Sequence, residues 1–119
     1  MITKEDTALQ ASMIIGADVR NYQDEDIGEI EDFVMDMQSG RIAYAVLSFG
    51  GFLGIGDKLF AVPFQSLSWD AARECFMMEA NKDRLKNAPG FDRNSWPKMG
   101  DRRWGSTIHK YYGSKPYWE

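Results

Sequence analysis

The sequence predicts a small, mainly β domain: six short antiparallel strands forming a barrel, followed by a short helical or irregular C-terminal extension. Three observations lead there. The chain has 119 residues, 44% hydrophobic and 27% charged, which suits one globular domain and no second core. From Met13 to Ala80, short apolar runs alternate with turn residues at the spacing of a small barrel. After Asn81 that rhythm stops and an aromatic-rich texture takes over.

The three expected parts are a flexible lead-in over 1–12, a barrel over 13–80 and an extension over 81–119. Residues Met1–Ser12 are polar and lack a period. The first strand is expected within Met13–Val19, an apolar run broken by Gly16, with Asn21–Asp26 as a polar turn. Gly28–Asp36 and Arg41–Phe49 read as a hairpin around Ser39-Gly40, because glycine accepts positive φ. Lys58–Val62 follows and Pro63 ends it. Leu67–Trp69 and Glu74–Glu79 complete the six, turning at Asp70–Arg73.

Arg41–Phe49 is unusual in being apolar on both faces: Ile42, Tyr44 and Val46 on one, Ala43, Ala45, Leu47 and Phe49 on the other. A strand with one wet face alternates more cleanly, so this one is expected to be central and covered twice. Its outer cover is either the C-terminal segment or a second subunit. In that segment, Asn81–Ala88 reads as a short helix capped by Asn81 with Leu85 inward, stopped by Pro89-Gly90. Ser106–Tyr112 reads as a helical turn or two. Seven aromatic residues between Phe91 and Glu119 are too many for a disordered tail.

The formal charge of −4, from 14 basic and 18 acidic residues, argues against binding a nucleic-acid duplex through its phosphates. No apolar run approaches the roughly 18 residues of a membrane span. The N-terminus carries Lys4, Glu5 and Asp6 without the apolar stretch of a secretory signal, and Cys75 is alone, so a reducing cytoplasm is expected.

Candidate chemistries are few. Gly50–Asp57 holds four glycines, but Asp57 precedes Lys58 and a strand follows, which is not a phosphate loop. Its Phe52, Leu53 and Ile55 suit a contact surface or a fold-back onto the core. The acidic set Asp24, Glu25, Asp26, Glu29, Glu31 and Asp32 lacks calcium-loop spacing and reads as a solvated turn. Asp32 shares a strand face with Ile30 and Val34, so it needs donors or a bulge that turns it outward. One Cys and one His cannot complete a structural zinc site, so Cys75 reads as packed and His109 as a surface residue. The tail's Arg93, Lys98, Arg102, Arg103, Lys110 and Lys115, interleaved with aromatics, suit either stacking on single-stranded nucleic acid or cations lying along packed rings, and the second is the expectation because Asp92, Asp101 and Glu119 dilute the patch.

Several of these runs carry a resemblance. Ile27-Gly28-Glu29-Ile30-Glu31-Asp32-Phe33-Val34-Met35-Asp36, Ser39–Leu47, Phe52–Pro63 and Leu67-Ser68-Trp69-Asp70 together resemble a PRC-barrel domain. That barrel is named after the photosynthetic reaction centre H subunit and is shared with ribosome-maturation factors. Leu85–Asp92, Asn94–Pro97, Tyr111–Gly113 and Pro116–Glu119 resemble the family's stand-alone bacterial members.

The resemblance implies an adaptor or assembly module with no catalytic residue, metal or cofactor to carry over. The leading expectation is therefore a non-enzymatic interaction module, a homodimer or a partner of another protein. Its contacts are expected from Tyr44, Val46, Phe49, Phe52, Leu53, Ile55, Trp96, Trp104, Tyr111, Tyr112 and Trp118. A ribosome- or RNA-associated factor, and a ligand-binding protein or enzyme with a site at the barrel mouth or subunit seam, are the alternatives.

Overall fold

The computed structural model describes residues 8–49 and 58–119. The chain forms α1 (Ala11–Ile14), β1 (Asp18–Arg20), β2 (Asp26–Asp36), β3 (Arg41–Ser48), β4 (Lys58–Pro63), a 3-10 turn (Phe64–Ser66), β5 (Leu67–Asp70), β6 (Cys75–Met78), α2 (Lys82–Lys86), β7 (Phe91–Asp92) and α3 (Arg102–Tyr112).

Five of the six expected strands form close to their expected bounds, the first is confined to Asp18–Arg20, and the turn residues act as their chemistry dictates. Between β2 and β3, Asp36 accepts from the Gln38 N–H at 3.3 Å and the Ser39 hydroxyl at 2.6 Å, while Gly40 takes φ 74°. Between β5 and β6, Asp70 accepts from the Arg73 backbone at 3.1 Å and its side chain at 3.0 Å. Asn21 is fully buried and uses its whole amide. Its Nδ2 donates to Glu25 and to the Ala80 carbonyl, and its Oδ1 accepts from the Gln23 and Glu25 backbone N–H groups. One side chain thus shapes the β1–β2 turn and ties it to the end of β6.

Two expectations need correction. The first is the closed, six-stranded antiparallel barrel. The strands form a seven-stranded mixed sheet, ordered β5-β6-β1-β2-β3-β4-β7, which stays open between β5 and β7. β1 runs parallel to β6, pairing Val19 with Phe76, and antiparallel to β2. Closure fails for a local reason. β7 has two residues and pairs only with Lys58 and Leu59 of β4, and α3 packs against β4 as well. The second is the strand expected from Met13. Ala11–Ile14 is a helical turn, and Gly16 at φ 92° redirects the chain so that its N–H meets the Ile30 carbonyl at 2.7 Å.

The sheet curls around one core of Val19, Ile27, Ile30, Ala45, Leu47, Phe49, Phe60, Val62, Phe76 and Met78. A second cluster of Ala43, Tyr44, Ala61 and Ile108 lies on its other side under α3. β3 is therefore buried on both faces, from Ala43 to Leu47, and its outer cover is the chain's own C-terminal helix. Asp101 caps α3 by accepting from the Arg103 N–H at 2.8 Å, and Gly113 ends it at φ 68°. α2 is capped by Asn81 with Leu85 fully buried, as expected.

Gly105 lets α3 approach this closely. A Cβ there would sit 2.6 Å from the Tyr44 hydroxyl and 2.9 Å from the Trp118 ring. Gly105→Ala gains about 1 kcal/mol in helix propensity, but overpacking a site costs about 1–3 kcal/mol. Because Tyr44 is fully buried, steric cost wins, and the variant unfolds at lower urea than wild type. Asn21→Ala strands the partners of its amide and lowers stability by about 1–3 kcal/mol in the same assay.

Candidate interaction surfaces

The structure separates the residues expected to make contacts into three groups. Tyr44, Val46 and Phe49 are buried within the chain. Phe52, Leu53 and Ile55 lie outside the described residues. Trp104, Tyr111, Tyr112 and Trp118 are half-buried in the tail's own packing, and Trp96 is exposed, packed on Phe91 with its indole N–H donating to the Arg93 carbonyl at 2.8 Å.

The tail packing centres on Tyr44. Trp104 and Tyr117 meet its ring edge-on at centroid distances of 5.2 and 5.6 Å, and His109 lies at 5.6 Å. The Tyr44 and Tyr112 hydroxyls are buried with no hydrogen-bond partner, and burial raises both phenols above their ordinary range.

His109 is not the surface residue expected from the sequence: it is 1% exposed. Its Nε2 accepts from the Tyr117 backbone N–H at 3.4 Å, which leaves the proton on Nδ1 to bond Ser114 Oγ at 2.8 Å. The ring is a neutral brace that holds the last residues against α3. Cys75 is buried on β6, and burial pushes its thiol up, away from the reactive thiolate. Among the described residues, no group of three or more His, Cys, Asp or Glu side chains could hold a metal ion.

Asp32 resolves as the bulge alternative. The β2–β3 register shifts between Ile30 and Asp32, turning the carboxylate outward, where it accepts from the Phe33 N–H at 2.8 Å. The adjacent Glu31 pairs with Arg93 at 2.9 Å, which holds its carboxyl below the usual range.

Two surfaces escaped the sequence reading. The first is a groove of about 450 Å³ between α1 and the end of the β5–β6 hairpin, lined by Leu9, Met13, Ile15, Ala17, Trp69 and Glu74. Leu9, Met13 and Ile15 are 39, 64 and 43% exposed, and β5 is an end strand of the sheet. The buried Trp69 indole N–H has no hydrogen-bond partner. Nothing in the sequence signalled it, because Met13, Ile14 and Ile15 are three apolar residues in a row and read as a strand.

The second surface is electrostatic. Residues 1–80 carry 5 basic and 14 acidic side chains, whereas 81–119 carry 9 basic and 4 acidic. The summed charge of −4 concealed that division. On α3, Arg102, Arg103, Ser106, Thr107 and Lys110 all face solvent.

Residues 6–85, about two thirds of the chain, match the family described as PRC-barrel domain. β7 and α3 lie beyond the matched span. No curated protein matches the chain.

The His109 geometry predicts a pH effect. In the unfolded chain the imidazole takes up a proton as pH falls through about 6.5. In the folded chain burial lowers its proton affinity, so it stays neutral further down. The unfolded state then binds more protons, and stability falls as pH drops through that window. His109→Gln should have a flatter stability profile than wild type between about pH 7 and 5, read by urea titrations. Equal slopes would show that His109 does not couple folding to protons.

Proposed function

The chain belongs to the PRC-barrel domain family, and from that premise we propose that it is a non-catalytic interaction module that recruits another polypeptide. The observation that carries this reading is the groove beside β5. Monomeric surfaces rarely leave neighbouring large apolar residues exposed without use, and an end strand offers unpaired backbone groups to an incoming segment. Leu9, Met13 and Ile15 beside Trp69 combine both features. Glu74 at the rim favours a basic residue in the partner.

The finer reading is a stand-alone member of the bacterial type, supported by the resemblance of 85–97 and 111–119 to such proteins. The lone Cys75 supports a reducing cytoplasm. Self-association remains part of the proposal, but β3 does not supply the contact, because both its faces are covered within the chain.

Site-specific photo-crosslinking in cells tests the groove. A crosslinker at Met13 should give one dominant protein adduct that a crosslinker at Gln38, on the β2–β3 turn, does not. Leu9→Glu with Ile15→Glu should abolish the adduct while changing stability by no more than about 0.5 kcal/mol. Identical adducts from positions 13 and 38 would sink the groove reading. A stoichiometric small molecule on the purified protein in native mass spectrometry would favour a ligand-binding function instead.

A further inference from the structure

Residues directly opposed in an antiparallel pair point to the same side of a sheet. Tyr44 opposes Val34, Val46 opposes Asp32, Ser48 opposes Glu29, and Glu29 opposes Asp18. Asp18, Glu29 and Asp32 therefore share the sheet face that α3 covers at Tyr44. Over β1 and β2 no described helix covers that face, and all three carboxylates are exposed. Asp18 and Glu29 stand directly across from each other, an arrangement that destabilises a strand pair. Asp24, Glu25, Glu31 and Asp70 each have a basic partner, whereas Asp18, Glu29 and Asp32 have no ion pair among the described residues.

The complementary charge is on the same chain. The solvent side of α3 presents Arg102, Arg103 and Lys110 with the hydroxyls of Ser106 and Thr107; the nearest carboxylate is the N-cap Asp101, 3.9 Å from Arg103, and Arg102 lies over the Trp118 ring. Arg103 and Lys110 are seven residues apart, about 10 Å along a helix. The bulge sets Glu29 and Asp32 opposite Ser48 and Val46, two positions apart on β3, so they stand about 7 Å apart, a span that the long Arg103 and Lys110 side chains can bracket.

We propose that the protein self-associates by laying the basic side of α3 of one copy across the open β1–β2 face of a second copy, twice over about a two-fold axis. This rests on the interaction-module reading and names one partner for it, on a surface separate from the groove. A second copy fits better than a nucleic acid, because the acidic face lies on the same domain and repels a polyanion. Two reciprocal contacts double each complementary pair. Exposed ion pairs contribute about 0.2–1 kcal/mol each, so the dimer is weak and salt-sensitive.

Sedimentation equilibrium of the full chain at low and high salt tests this. Wild type should dimerise at low salt and dissociate at high salt. Arg103→Glu with Lys110→Glu should weaken the dimer on the order of tenfold or more. Glu29→Lys with Asp32→Lys should do the same. An equimolar mixture of the two variants should restore a heterodimer, since each then supplies what the other needs. Thermal melts confirm that each variant is folded, and Arg103→Gln with Lys110→Gln supplies a milder pair.

A monomer at every concentration in low salt overturns the proposal. So does a dimer indifferent to both reversals, which would place self-association elsewhere and leave the groove reading intact. Folded variants that fail to rescue each other overturn it. So does salt-sensitive capture of a single-stranded oligonucleotide by α3 in a protein that stays monomeric. Groove crosslinking proceeds without regard to any of these results, so failure of the wider reading shows separately.

Discussion

Burial of Ala43–Leu47 on both faces of β3 requires two independent covers, and most of the fold supplies one or the other. The inner cover is the curl of the sheet, which brings Phe60 and Val62 from β4 and Phe76 and Met78 from β6 onto Ala45 and Leu47. The outer cover is α3, which closes over Tyr44 with Ile108, Trp104 and Tyr117. A helix laid on a flat, Ala-rich stretch of sheet would leave Tyr44 protruding. Gly105 accepts that ring in the one place where the helix has no side chain. The outer cover thus depends on a missing methyl group as much as on aromatic area.

This division also explains the charge pattern. A helix that hides the apolar half of a sheet face leaves the other half to water, and Asp18, Glu29 and Asp32 occupy that half. The ties between tail and sheet that neutralise charge are few and peripheral, Arg93 to Glu31 and Lys82 to Glu25. The tail is held on mainly by aromatic packing. Of its remaining cations, Arg84 lies over the Tyr111 ring and Arg102 over the Trp118 ring, while Arg103 and Lys110 stand on the solvent side of α3.

Much of the strand layout was legible because turn chemistry is local. Ser39-Gly40, Asp70, Asn81 and Pro63 each act within a few residues, and each sits where expected. The two-faced composition of β3 and the odd position of Asp32 were also readable, since period-2 alternation exposes both. What escaped was non-local. Nothing in Asp18–Arg20 announces that its second neighbour is a parallel β6, and the open seam follows from how short β7 is and where α3 packs. Met13–Ile15 looked like a strand because three large apolar residues in a row carry no period. His109 looked exposed because a lone imidazole between Ile108 and Lys110 does not reveal which side of α3 the tail folds onto. The exposed contact surfaces were hidden for the same reason, since they are defined by what the core leaves uncovered.

The parallel pairing of β1 with β6 sets an order on assembly. Val19 meets Phe76 almost half the chain's length away, whereas β2, β3 and β4 close through neighbours. During synthesis the central hairpin has its partners as soon as they emerge. The first strand to be made must wait for the sixth, because distant pairings bear the larger loop-closure entropy. The groove beside Trp69 takes one wall from each of these regions, Met13 and Ile15 before β1, Trp69 and Glu74 around the β5–β6 hairpin. It comes into being only when the two ends of the domain have met. A partner that reads this groove is therefore reading a completed fold, and a nascent or half-assembled chain offers it nothing to bind.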